Sequence, residues 1–523
     1  MLVTAPPGCG KTEFMARRAR DLVRAGMIRP PRKILVVTFS NRAKDNLKHR
    51  VSCTLGPNFD QYVTVTNFHG LGLRLLTNHG NVIGRTIDDT RHPLPGSLRR
   101  LRNQICAEYD TNQNDLGKVL RWAKSGPYTD DDVLERLASG SAAAVEYERR
   151  LRTQGRVDFD DALRLGLLIV RNPSVAELYR EHFACVFVDE VQDLSDLHFD
   201  LIEPIGIGRT VFAGDQAQGI FGFAGANPKS IYARISQRTS APVTLADSYR
   251  SAPAILRLVS AISERLGGPG VAASPDMNWA TDGTIAVEHF DDTRSEADWV
   301  VGYVQQCIDD CPHESIGVIV RAGFRRTDLD SAANTAGLPV QIWDYPAHKP
   351  GVVRLLKRFV GPAVETAGEG TAGVDELYLR CYEELATDDP DTLDELEEAI
   401  EHLTELVAHE PLSSVVAKLR FVPDANEPAS PGLHLLNAHV GKGQQFDRVI
   451  VLGMEDDHIP GYRAKTADDE KDEMAVLLVM VSRAKHTLIF TCCARTPKFD
   501  TLQARSHSRW LKRITEFSTT LPQ

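Results

Sequence analysis

Cysteine in this chain lacks organisation rather than number. The nine cysteines form no C-x-x-C pair and only Cys492 and Cys493 are adjacent, which argues against a zinc, iron–sulfur or disulfide framework and leaves reduced, buried thiols as the expectation. Long apolar runs are also missing. A membrane span needs ~20 uninterrupted apolar residues, and the longest candidate, Met474–Val481, falls far short. The N-terminus has no basic region followed by an apolar run, so no secretion signal is expected and the cytoplasm is the expected compartment. Internal repeats and low-complexity tracts are absent. With 523 residues, 42% of them hydrophobic, the chain exceeds what one core usually supports, and two or more domains are expected.

Charge is unevenly placed. The net charge of −11 disfavours a polyanionic partner, yet from Arg17 to Arg50 basic residues face only Asp21 and Asp45. From Asp375 to Glu410 fourteen acidic residues accompany a single arginine, Arg380. The first region can face phosphates and the second should avoid them. Within the acidic stretch Leu393, Leu396, Ile400, Leu403 and Val407 recur at helical spacing; packing inside a small helical insertion is favoured over a docking face for another protein.

What is present begins at the first residue. Met1–Thr12, ending Ala5-Pro-Pro-Gly8-Cys9-Gly10-Lys11-Thr12, reads as an apolar strand, a phosphate-binding loop and a helix. Backbone N–H groups of such a loop cradle phosphate oxygens, Lys11 neutralises charge and the Thr12 hydroxyl ligates Mg²⁺. Ala5 stands where the first glycine of G-x-x-x-x-G-K-[ST] is usual. Further strands are expected at 34–39, 62–66, 185–189 and 210–214, then at 283–288, 315–320, 433–437, 447–453 and 486–491, alternating with helices as a parallel α/β sheet requires. The expected division is a first core in two parts, 1–80 and 183–265, interrupted by a helical insertion at 81–182. A second core at 266–360 and 432–523 is interrupted by a short acidic helical insertion at 361–431. Gly/Pro-rich stretches at 267–270, 368–373 and 423–432 read as boundaries or linkers.

The apolar strand ending in Val188-Asp189-Glu190-Val191-Gln192-Asp193 supplies the partners the loop needs: Asp189 to hold Mg²⁺ and Glu190 to polarise an attacking water. At this point the chain resembles the UvrD/Rep/PcrA branch of superfamily 1 helicases, from residue 1 to about residue 495. Thr38-Phe39-Ser-Asn41-Arg-Ala43 is similar to T-F-T-N-K-A, Thr66-Asn-Phe-His69-Gly70 to T-F-H-[SG], and Asp158-Phe-Asp-Asp161 to the D-F-D-D-L stretch. Gly214-Asp-Gln-Ala-Gln218-Gly-Ile-Phe221-Gly-Phe223-Ala-Gly-Ala226 resembles G-D-x-x-Q-S-I-Y-x-W-R-G-A, and Leu245-Ala-Asp-Ser-Tyr249-Arg250-Ser251 resembles L-x-x-N-Y-R-S. Ile319-Val-Arg321, His439-Val-Gly-Lys-Gly443-Gln-Gln445-Phe446-Asp447 and Val481-Ser-Arg483-Ala-Lys485 look like the later motifs.

The resemblance implies an α/β fold of two RecA-like parallel-sheet P-loop domains with helical insertions. It implies ATP and Mg²⁺ as cofactors, with Ala5, Gly8, Cys9, Gly10, Lys11, Thr12, Tyr249, Gly443 and Gln445 around the nucleotide. Lys11, Asp189, Glu190, Gln218, Arg250 and Arg483 are the expected catalytic set, with Thr12 and Asp189 on the metal. Thr38, Phe39, Asn41, His69, Phe221, Phe223, Arg321 and His439 are the expected DNA contacts. The implied activity is 3′-to-5′ translocation on single-stranded DNA and unwinding of tailed duplex, in repair, recombination or antiphage defence. The alternative is an ATP-gated DNA-binding subunit, weak at unwinding alone, that works with a partner nuclease as in Gabija-like defence.

Departures from the family pattern are informative. Pro6 and Pro7 remove backbone donors from the loop. Cys9 puts a thiol beside a helix N-terminus, where a lowered pKa and redox sensitivity are expected. Glu13 replaces a base-holding arginine, and a glutamine-bearing segment usual before the loop is not in the sequence, so the expectation is that Met1 lies after the true start or that adenine selectivity is relaxed. Phe223, Ala224, Gln445 and Leu478 replace tryptophan, arginine, glutamate and tyrosine, which predicts a looser grip on the strand.

Overall fold

Short β-branched runs flanked by turn residues form the buried strands of two sheets in the computed structural model of the chain. The structure describes residues 1–85, 95–222, 225–239, 241–343, 347–348, 350–385, 390–408, 410–421, 429–440, 444–498 and 501–518. The first sheet contains β1 (Leu2–Thr4), β2 (Lys33–Thr38), β3 (Val63–Asn67), β4 (Phe183–Val188), β5 (Thr210–Gly214) and β6 (Val243–Thr244), ordered β3-β2-β4-β5-β1-β6. Every pairing is parallel. The chain reverses its direction of travel across the sheet between β1 and the β4/β2 pair, and ligands gather outside the carboxyl ends of strands at such a point. The loops after β1, β2, β4 and β5 all open there.

The second sheet contains β7 (Thr284–Asp292), β8 (Ser315–Val320), β9 (Val340–Ile342), β10 (Gly432–Asn437), β11 (Phe446–Leu452), β12 (Ala484–Lys498) and β13 (Thr501–Ala504), ordered β9-β10-β8-β11-β12-β13 with β7 also paired to β12. Among the described strands of this sheet, only the β12–β13 hairpin is antiparallel. β12 runs well past the expected 486–491 because Cys492 and Cys493 stay fully buried and β7 pairs with it as far as Asp292↔Arg495. The two lobes thus share one α/β plan.

Packing redraws the expected boundaries. The core of the first insertion joins Leu98, Leu101, Leu120, Val133, Tyr147 and Leu151, whereas helices Phe159–Val170 and Pro173–His182 bury their apolar faces with β2 and β4. Sequence from 157 to 182 therefore belongs with the first lobe and not, as expected, with the insertion. Helix Pro253–Arg265 packs with Leu478, Leu488 and Phe490 of the second lobe, which moves the lobe boundary ahead of 265. Helix Pro350–Ala367 runs through the expected break at 360/361, and its Val352, Val353 and Leu356 join Leu377, Ile400, Leu403 and Val416 in the second insertion's core. Residues 368–370 link two helices of that insertion, and the stretch continues into the first turn of helix Thr371–Glu384. The stripe Leu396, Ile400 and Leu403 is fully buried core, and the side chain of Leu393 lies outside the described residues.

Candidate active site

The phosphate-binding loop follows β1 directly. Ala5 is buried and donates its N–H to the Gly214 carbonyl (3.1 Å), so it extends the β1–β5 ladder. Gly8 and Gly10 hold φ of 80° and 78°, left-handed values that side chains resist. A Cβ on Gly8 would also lie 2.3 Å from Arg250 Cβ. Helix Lys11–Arg24 starts at Gly10 without a side-chain cap, leaving its first N–H groups directed out of the loop. Lys11 Nζ lies 3.1 Å from Glu190 Oε2. Burial opposes its charge most, but Glu190, Asp189 and Asp215 together hold it above the ordinary lysine value.

Asp189 and Glu190 leave the end of β4 in different surroundings. Asp189 is buried, and desolvation followed by the charge of Glu190 raises its carboxyl to about 7. Glu190 takes φ 52° and accepts from Gln192 Nε2 as well as from Lys11. Gln192 in turn accepts from the Asp215 N–H at 3.0 Å, and Gln218 Nε2 donates to Asp215 Oδ2 at 2.7 Å. Five expected or adjacent polar groups are thereby linked across β4 and β5. Gln192 and Asp215 were not singled out from sequence; their positions inside two motifs were the available signal.

Segment 247–252 closes this site from the second-lobe side. Ser248 Oγ donates to the Pro7 carbonyl (3.2 Å) and Tyr249 N–H to the Gly8 carbonyl (3.2 Å). Ser251 Oγ and Ala252 N–H donate to Ala484 and Lys485 carbonyls, both at 2.6 Å, and Gln445 Nε2 to the Arg250 carbonyl at 3.2 Å. Arg250 is held between the two lobes, with burial lowering its guanidinium and Glu190 opposing that. Tyr249 is half exposed beside the loop. The Arg483 guanidinium donates to the Val440 and Ala438 carbonyls, both at 2.7 Å.

A second group of expected residues meets on the carboxyl edge of the first sheet. Phe39 and Phe221 stack with centroids 6.1 Å apart, and His198 lies 5.7 Å from Phe39. His69 faces Phe159, which is 37% exposed and was missed from sequence because it sits within the D-F-D-D stretch. Asn41 accepts from Asn67 Nδ2 at 2.7 Å. Thr38 does not join this face; it is wholly buried and its hydroxyl donates to the Ser40 carbonyl (3.2 Å). On the second lobe Arg321 meets His439 at 3.1 Å and is chelated by Glu473, with its closest contact 2.7 Å. Burial, then the Arg321 charge, lowers His439 to about 4. Phe223, Ala224 and Gly443 lie outside the described residues.

Residues 1–238 match the UvrD/REP helicase N-terminal domain and residues 381–495 the UvrD-like helicase C-terminal domain. The chain belongs to the UvrD-like helicase family. It is similar to the ATP-dependent DNA helicase PcrA of Leuconostoc citreum, 26% identical over 65% of this chain and 47% of the relative. It is also similar to ATP-dependent DNA helicase UvrD1 of Mycobacterium bovis, 24% identical over 98% of this chain and 83% of the relative, and to UvrD2 of Mycobacterium tuberculosis, 24% identical over 98% and 79%. In the first of these comparisons the chain spans about half (47%) of the relative's length.

One departure from the UvrD-like pattern reads differently in three dimensions. The Cys9 thiol, expected to be acidified by the helix N-terminus, is 5% exposed and burial pushes it up to about 12. Asp215 adds to the rise, and Arg250 and Lys11 oppose it. The thiolate is the reactive form, so this environment disfavours rather than promotes it. Among the described residues no helix is long and apolar enough to cross a membrane.

Proposed function

We propose that this chain is an ATP-driven translocase that moves 3′ to 5′ on single-stranded DNA and opens tailed duplex. The observation that carries the reading is the 247–252 segment, which touches the phosphate loop with one half and the second lobe with the other. Nucleotide bound at Gly8–Thr12 changes the partners of Lys11 and Glu190, and that change reaches the second lobe through Arg250. The strand lies across both lobes, on Phe39, Phe221 and His69 of the first and near Arg321 and His439 of the second. Stacking platforms with basic neighbours bind single strands without regard to sequence.

The donor set suits Mg²⁺: Thr12 offers a hydroxyl, and Asp189 is a buried carboxylate raised first by desolvation and then by the neighbouring Glu190 charge, both of which a bound cation would offset. Bound there, Mg²⁺ would neutralise the phosphate oxygens. Glu190, released from Lys11 when phosphate takes its place, orients water for attack. Gln218 reports the terminal phosphate through Asp215, and Arg250 neutralises charge as the phosphoryl group leaves. Arg483 reaches the phosphates only by giving up its carbonyl partners at 438 and 440, and the reading assigns that exchange to closure of the lobes.

The test is ATP hydrolysis with and without single-stranded DNA, followed by strand separation on 3′- and 5′-tailed duplexes. Stimulation by single strands together with opening of the 3′-tailed substrate alone supports the reading. Hydrolysis indifferent to DNA, or preference for the 5′ tail, overturns it. Leu396, Ile400 and Leu403 of the second insertion are buried in its core, so packing within the insertion accounts for that part of the acidic helix. Strand separation by the chain alone, against a requirement for an added nuclease partner, distinguishes this reading from the alternative of an ATP-gated subunit.

A further inference from the structure

In the second lobe three ligating side chains from separate parts of the chain converge. His289 lies on β7, Cys492 on β12 and His507 in the segment after β13, and their ligating atoms all lie within 4.8 Å of one another. His289 and Cys492 are directly opposite partners in the β7–β12 register, with Cys492 Sγ 3.0 Å from His289 Nδ1. His507 is held as firmly as the strands. Its neighbours Ser506 and Ser508 make backbone hydrogen bonds to Asp456 (3.0 Å) and Met454 (2.8 Å), and His507 itself bridges Glu455. The rings of His289 and His507 are 4.8 Å apart. Both histidines are exposed while Cys492 is fully buried.

We propose that His289, Cys492 and His507 bind a divalent metal ion of the zinc type. Metal–sulfur and metal–nitrogen bonds of about 2.3 and 2.0–2.1 Å in a tetrahedral site put the ligand atoms roughly 3.3–3.6 Å from each other. The present spacings bracket that range, so the site forms by side-chain adjustment on a backbone already fixed. One thiolate with two imidazoles suits zinc over the oxygen-preferring cations, and the exposed histidine side leaves the fourth position to water. The neighbouring set Glu296, Glu455 and Cys493 is chemically different: the Arg325 guanidinium occupies it, 2.6 Å from Glu296 and 2.8 Å from Glu455. The bound ion ties the first and last large strands of the second lobe to the segment carrying buried Trp510 and Leu511. Sequence spacing hides the site because the three ligands are far apart in the chain and none lies in a C-x-x-C or H-x-H pattern.

The experiment uses the full chain, stripped with chelator and titrated with Zn²⁺ against a chromophoric chelator and separately with Co²⁺. The expected result is one equivalent bound, and a tetrahedral cobalt spectrum with a sulfur-to-cobalt charge-transfer band. His289→Ala and His507→Ala, exposed positions whose folding is checked by circular dichroism, should each weaken binding at least about 100-fold, beyond the usual cost of outer-shell changes. Cys53→Ser, which removes the exposed His49–Cys53 pair (3.5 Å), should change nothing. The proposal is overturned by absence of stoichiometric binding, by a cobalt spectrum without the thiolate band, by binding that survives both histidine substitutions, or by loss in Cys53→Ser. The wild-type spectrum and the histidine variants decide the matter even where Cys492→Ser does not fold.

Discussion

Glu190 carries two constraints at once. Its φ of 52° is a left-handed value for a residue with a side chain, a conformation that costs on the order of 1–3 kcal/mol and persists only where the surroundings impose it. Here the Lys11 ion pair and the Gln192 amide hold the carboxylate over the phosphate loop. Lys11→Ala should abolish tight nucleotide binding, whereas Glu190→Gln should keep binding and lower turnover by about 100-fold or more, the scale of a lost general base. Equilibrium binding of a fluorescent ATP analogue and single-turnover hydrolysis separate the two. Normal turnover in Glu190→Gln would remove it from the reaction.

At the scale of elements, buried charge locks the first insertion to its lobe. Lys124, last residue of helix Gln113–Lys124, meets Glu148 at 2.8 Å, Asp158 at 2.9 Å and Asp161 at 2.8 Å with all four side chains fully buried. Asp158 and Asp161 also form the capping box of helix Phe159–Val170. The D-F-D-D stretch is thus a structural clamp. Lys124→Met leaves three buried carboxylates short of a cation and should cost about 3–5 kcal/mol, read from urea unfolding and early proteolysis within 95–155. His198 is the second such element. It is the N3 partner in the capping box of helix Asp196–Gly206, accepting from Ser195, and burial lowers its ring to about 3. Because the unfolded chain takes up that proton near pH 6.5 and the folded chain does not, its contribution is full above about 6.5 and is lost progressively as pH falls toward 3. His198→Gln keeps a capping side chain without the titration, so its unfolding temperature should fall less than that of the parent between pH 7 and pH 5. An equal fall in both would assign the acid sensitivity to other groups.

For the whole molecule the decisive feature is that one six-residue segment serves both lobes. Ser248 and Tyr249 hold the phosphate loop while Ser251 and Ala252 hold the start of β12. Coupling between nucleotide and strand must then be reciprocal: if a non-hydrolysable ATP analogue tightens single-strand affinity by some factor, the strand must tighten the analogue by the same factor. Arg250→Ala should reduce both factors toward one together, measured by fluorescence anisotropy on labelled oligonucleotide and labelled nucleotide. Retained coupling in Arg250→Ala would place the link between lobes elsewhere.

The sequence by itself determined the α/β class, most strand positions, the phosphate loop and its acidic partners, because these follow from local periodicity and from residue types whose chemistry needs fixed spacing. Motif resemblance also named Phe39 and Phe221, which stack on each other, and Arg321 and His439, which meet. Only the tertiary structure decided where the lobes divide, since helices 159–170, 253–265 and 350–367 choose their partners by which apolar face fits, and contact choice has no signature in a local window. It buried Cys9, so that desolvation pushes its thiol up instead of down as the motif alone suggests. It turned Thr38 inward, gave Arg321 to Glu473 and gave Arg483 to two carbonyls. It also brought His289, Cys492 and His507 together across more than two hundred residues of chain, a meeting set by strand register and by the path of the last segment, which no spacing rule encodes.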